Sequence, residues 1–160
     1  MIVRRLLVNA ATDISRQVAE LVAGLAAHGG LDEAQAYRLR LAADEITTNI
    51  ASHGYHGRPG PVDLSGDVDD ERVLLAIEDD AEPFDPLGHH PDPRLSIAPH
   101  QRDVGGLGLH LALTGVDRFS YDRSRGRNRN VLVVLRSGCA AHSEMNDGGH
   151  DGRDHSASRC

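Results

Sequence analysis

The chain has 160 residues, two cysteines and a formal net charge of −7. That length suits one domain with short appendages, and the acidic balance excludes a basic nucleic-acid footprint. All 17 basic residues are arginine, so neither a Walker A loop nor a eukaryotic-type kinase strand, each of which needs a lysine on the phosphates, can be built from it.

No apolar run approaches the roughly 20 residues of a membrane span. The apolar part of the N-terminus is too short for a signal peptide. Ile2 to Val8 suits a strand at a sheet edge. Thr12 or Asp13 can cap a helix whose apolar residues Ile14, Val18, Leu21, Val22 and Leu25 recur at helical spacing until Gly29-Gly30. Asp32 caps a second helix, expected to stop near His53-Gly54. Val62 to Gly66 and Val73 to Glu78 read as a hairpin around Asp69-Asp70-Glu71, and the second of these strands, apolar on both faces, should be central. From Asp79 to Asp103 five prolines forbid a long helix. A third helix opens at Gly105. Phe119 to Tyr121 is a short strand, Asp122 to Asn128 a turn, and Asn130 to Leu135 a last strand. Residues 137–160 have no periodicity and read as a disordered tail. Cys139 and Cys160 make no metal spacing and no disulfide framework, which predicts reduced thiols and a cytoplasmic protein. The order β-α-α-β-β-loop-α-β-β predicts an α/β two-layer sandwich: a mixed, mostly antiparallel sheet covered on one face by three helices.

Three stretches could carry chemistry. On the second helix Glu45 and Asn49 stand one turn apart on one face. Tyr37, Leu41 and His53 continue their stripe, while Ala42, Ile46 and Ile50 make a core face. Alone, such a pair is more often an inter-helix hydrogen bond than a site. Asp79 ends the central strand, where a carboxylate can accept from the exocyclic amine of a base, although Asp-Asp turns are common. Gly105-Gly106-Leu107-Gly108 offers unpaired N–H groups at the positive end of a helix, which suits an anion, although a plain hinge would read the same way.

Their order and spacing resemble the GHKL, or histidine-kinase-like, ATPase superfamily. Leu41 to Tyr55, Glu78 to Leu87 and Gly105 to Leu111, with Asp117 to Tyr121 and Gly126 to Asn128 downstream, look like the bacterial anti-sigma-factor serine kinases. The resemblance covers residues 1–136 and implies a histidine-kinase-like ATP-binding domain, with residues 87–104 as its ATP lid. It implies ATP and Mg2+ as cofactors, and phosphorylation of a serine or threonine on a STAS-type anti-anti-sigma partner. A sigma factor as a second partner and a homodimer follow from it too, with no direct nucleic-acid or membrane contact. Carried over, Asn49 is the Mg2+ ligand, Glu45 the general base and Asp79 the adenine-reading carboxylate. Gly105, Gly106, Leu107 and Gly108 form the phosphate-facing turn. His53 and Tyr55 are structural, and Arg102, with Arg94 the weaker candidate, contacts phosphate from the lid. The pattern departs at Ala81, where the family usually has glycine; a methyl there is harmless only at negative φ.

The alternative function is a catalytically silent ATP-binding partner-switch module that sequesters a regulator without phosphoryl transfer. A zinc site is a poor third. His89 and His90 point apart in an extended loop, His100 stands alone, and no carboxylate–histidine pair has ligand spacing. Arg123 to Arg129 reads as a solvated turn rather than a nucleic-acid patch.

Overall fold

The computed structural model describes residues 2–8, 14–86 and 105–137, with side chains for 14–86 and 108–137. The elements follow the expected order: β1 (Ile2–Val8), α1 (Ile14–Gly29), α2 (Glu33–Asn49), a π-turn (Ile50–Gly54), β2 (Gly60–Val68), β3 (Arg72–Asp79), α3 (Gly105–Gly115), β4 (Arg118–Ser124) and β5 (Arg127–Leu135). The five strands form one sheet in the order β1-β2-β3-β5-β4, and every described pairing is antiparallel. The sheet and the three helices make the expected α/β sandwich. β3 is central and β1 lies at an edge, as their patterns predict.

The core lies between the sheet and the helices. Ile14, Val18, Leu21, Val22 and Leu25 of α1 are all buried, and Leu39, Ala42, Ile46 and Ile50 join them from the second helical segment. Alternate residues of the strands answer: Val62 and Leu64, then Val73, Leu75 and Ile77, then Leu132 and Val134. The period of two sends the intervening residues to the other face, where Arg127 pairs with Asp63 at 2.7 Å and Asp80 at 2.9 Å, and Arg129 with Glu78 at 3.6 Å. These cross-strand charges hold β2, β3 and β5 in one register.

Local signals place the ends. Gly30, at φ 63°, takes the left-handed position after α1, and Leu31 N–H closes back on the Ala26 carbonyl at 3.0 Å. Asp32 and Gln35 form a reciprocal capping box at the start of α2. The Gln35 amide also donates to the Leu135 carbonyl at 2.7 Å, pinning that helix end to the end of β5.

Two expectations are corrected. The helical stretch does reach Gly54, but as α-helix only to Asn49; its last turn is π, closed by Tyr55 N–H on the Ile50 carbonyl at 2.8 Å. Asp122 to Asn128 is not a long turn. β4 and β5 pair out to Ser124 opposite Arg127, leaving a two-residue turn of Arg125 and Gly126, both at positive φ (54° and 83°). That is the turn whose twist matches a hairpin. The polar, arginine-rich composition of the stretch hid the strand, because both its strands expose charged side chains there.

The segment expected to be a lid, 87–104, and residues 138–160 of the expected tail lie outside the described residues. Among the described residues no helix is long and apolar enough to cross a membrane.

Candidate functional site

A cleft opens where the C-terminal end of α2, the π-turn, the end of β3 and the start of α3 converge. Ile46, Ile50, Leu109 and Phe84 give it apolar walls, and Asn49, Asp79, Asn128 and Asn130 supply its polar groups.

Asp79 is the most constrained of these. It is 1 % exposed, because as the last residue of β3 it continues the buried face of that strand. Its Oδ1 accepts from the Ala81 N–H at 3.0 Å and from the Asn128 amide at 2.8 Å. Its Oδ2 is buried and has no partner among the described residues. Burial pushes the carboxyl above its ordinary range, opposed by the Asn128 and Ala81 hydrogen bonds, while neighbouring Asp80 pushes the same way as burial. An unsatisfied carboxylate oxygen in a cleft is costly, and a ligand's N–H would satisfy it.

Asn128 holds that carboxylate and the turn beyond it. Its amide also donates to the carbonyls of Ala81 and Glu82, both at 3.2 Å. Its oxygen accepts from Tyr121 Oη at 2.8 Å and from the Arg123 guanidinium at 2.7 Å. Asn130, two residues on and therefore on the same face of β5, is 3 % exposed, and its Oδ1 has no partner among the described residues. Neither asparagine was singled out from the sequence. The available signal was two asparagines at period two entering an apolar strand.

Ala81 is 5 % exposed, and its φ is not positive, since His56 and Arg125 are the described non-glycine residues that are. Gly54 makes room for its methyl: a Cβ on that glycine would stand 2.8 Å from the Ala81 Cβ. Tyr55 braces the same corner, donating to the Pro61 carbonyl at 2.7 Å and accepting from the Asp80 N–H at 3.1 Å. Its ring fills the space a Cβ on Gly60 would need.

Glu45 and Asn49 are both half-buried on α2. The Asn49 amide nitrogen is buried and has no hydrogen-bond partner among the described residues, and the residue lines the cleft. Glu45 faces α3: a Cβ on Gly108 would lie 3.2 Å from both of its carboxylate oxygens. Glycine at that position lets the carboxylate lie against the helix backbone. Gly105, Gly106 and Leu107 form the first turn of α3, whose leading N–H groups have no intrahelical acceptor. The structure thus brings Asn49 and Asp79 to one cleft, while Glu45 and Gly108 lie against each other where α2 meets α3, next to the cleft-lining Ile46 and Leu109. Arg102, Arg94 and the lid histidines lie outside the described residues, and among the described residues no three metal-ligating side chains cluster.

The arrangement fits a purine nucleotide. A buried orphan acceptor on Asp79 suits an exocyclic amine, apolar walls suit the base, and the free N–H groups at the α3 start suit phosphates. The α/β sandwich places this cleft between its helices and its sheet. The model of one family, the histidine kinase-like ATPase domain, matches residues 8–135, and the chain belongs to that family. A comparison with curated proteins returned no match.

Proposed function

We propose that the protein is an ATP-dependent protein-serine/threonine kinase that phosphorylates a STAS-type anti-anti-sigma protein and acts as an anti-sigma regulatory factor. The family membership supports ATP binding, and the Asp79 Oδ2 left without a donor supports adenine as the base. The observation that carries the kinase reading is the seat of Glu45. A general base must stand within reach of the incoming hydroxyl and beside the phosphate to be transferred. Glu45 lies against Gly108 in the first turn of α3, one helical turn from Asn49.

Asn49 would hold Mg2+ through its carboxamide oxygen, a hard ligand for a hard cation. Its buried, unpartnered amide shows that the carboxamide is not tied to any described protein group. Mg·ATP supplies the transferable phosphoryl group. Asp79 orients the base, the α3 start receives phosphate oxygens, and Glu45 accepts the proton of the attacking hydroxyl.

The test combines two readouts. Mg·ATP at about a hundred times its dissociation constant stabilises a fold by about 2.7 kcal/mol, a melting shift of several degrees, and Asn49→Ala should lose it. Glu45→Ala should keep the shift and lose transfer of labelled phosphate to STAS-domain proteins. Transfer that survives in Glu45→Ala sinks the general-base role. A shift with no transfer by the wild type favours the silent partner-switch reading. That reading had Ala81 as its steric ground; a φ that is not positive and the space beside Gly54 count against strain at that turn.

A further inference from the structure

Three large apolar side chains stand exposed among the described residues: Tyr37 at 63 %, Leu111 at 60 % and Leu41 at 36 %. They belong to one place. A Cβ on Gly108 would meet Glu45, and one on Gly115 would meet the Arg38 side chain at 3.7 Å, so α2 and α3 run antiparallel side by side. Residues 108, 111 and 115 share one face of α3. Leu111 therefore lies between those two contacts, level with Leu41. On α2, Tyr37, Leu41 and Glu45 follow one another at intervals of four residues along a single stripe. Scattered apolar side chains on a surface are ordinary, but a contiguous set is not. This set leads along the α2–α3 groove into the Glu45 carboxylate.

A second feature marks the far end of the groove. Arg38 Nε is buried and makes no hydrogen bond among the described residues. A buried donor of a permanent cation is costly when unpaired, and a carboxylate is its best partner. The seam between α2 and α3 is thus flanked by exposed apolar side chains, with Glu45 toward one end and the buried, unpartnered Arg38 Nε toward the other.

We propose that Tyr37, Leu41 and Leu111 form the docking surface for the hydroxyl-bearing segment of the protein substrate. An apolar side chain of that segment seats between Leu41 and Leu111, and a carboxylate meets Arg38. The proposal rests on the kinase reading for its occupant. One helical turn from Leu41 to Glu45 spans roughly 5.4 Å, and two residues of extended chain span roughly 6.6 Å. The segment therefore carries its apolar anchor two residues from the phosphorylated serine or threonine, and its acidic residue on the same side, farther out.

The probes are purified STAS-domain proteins from the source genome, assayed with the full chain for direct binding and for phosphate transfer. The variants are Leu111→Ser, Leu41→Ser and Arg38→Gln. The two leucines are exposed, so their replacement leaves the fold and the Mg·ATP melting shift unchanged. Losing a buried apolar anchor corresponds to roughly tenfold weaker binding or more, so each leucine variant should raise KM for the protein at least tenfold, with kcat and KM for ATP unchanged. Arg38→Gln should weaken only substrates with the acidic residue. Unchanged protein KM in both leucine variants overturns the docking surface while the kinase stands. Wild-type binding without transfer overturns the kinase reading, and the same variants then decide the surface by affinity. Failure of the wild type to bind any STAS-domain protein overturns the surface as proposed, whatever its ATP shift.

Discussion

Asn128 and Asp79 face each other across the β3–β5 ladder, with the amide of one donating to the carboxylate of the other at 2.8 Å. That contact engages one oxygen of Asp79, and the other has no partner among the described residues. Asn128→Ala should undo it. The substitution strands the Tyr121 hydroxyl and the Glu82 carbonyl, while the Ala81 carbonyl keeps the Arg123 guanidinium, so a loss of about 2 kcal/mol in urea unfolding is expected, with ATP bound roughly tenfold more weakly by calorimetry. Unchanged ATP affinity would show that Asp79 holds its orientation without Asn128.

Asp79 itself should show a conflict between stability and binding. Burial raises its folded-state pKa above the unfolded value, so the folded protein binds the proton more tightly than the unfolded chain. Stability contributed by the protonated form is present below the unfolded pKa and is lost as pH rises through the folded one. At neutral pH the ionised carboxylate is therefore a burden on the apo fold. Asp79→Asn keeps the acceptor for Asn128 and Ala81 and removes the charge. Its apo melting temperature should equal or exceed that of the wild type at pH 7, the gain should vanish toward acid, and the ATP shift should disappear. A variant markedly less stable at pH 7 would contradict the assignment.

Gly54 and Ala81 should behave as a coupled pair. The 2.8 Å approach leaves no room for a second methyl, and overpacking of this kind costs about 1–3 kcal/mol. Gly54→Ala should destabilise by that amount, and Gly54→Ala combined with Ala81→Gly should recover most of it. The double-mutant cycle reads the coupling directly. Additive effects would show that the two residues do not compete for space.

Gly108→Ala separates chemistry from folding. Alanine favours the helix over glycine by about 1 kcal/mol, and the obstacle, at 3.2 Å, is the end of a flexible glutamate side chain that can move. Melting should change little. Phosphate transfer should fall roughly tenfold or more, because a displaced base loses its alignment, while the Mg·ATP shift is retained. Full transfer in this variant would separate Glu45 from the reaction.

Periodicity and punctuation were enough to read the element order, the core faces of α1 and α2, the central place of β3 and the edge place of β1. Each of these is a local property: a 3.6- or two-residue repeat, a capping aspartate, a glycine at positive φ. Glu45, Asn49, Asp79 and Gly108 were picked out by an order and spacing that resemble a family's motifs, as was the departure at Ala81. Only the tertiary structure decided what the alanine meets, since Gly54 lies 27 positions away in the chain and reaches Ala81 through a π-turn that no spacing announces. Nor could the sequence show that Asn128 clamps Asp79, that Asn130 has a buried oxygen without a partner among the described residues, or that α2 and α3 run antiparallel side by side. Each depends on strand register or on the approach of two helices. Those are set by how the whole core packs, and a residue's own neighbours in the chain carry no record of them.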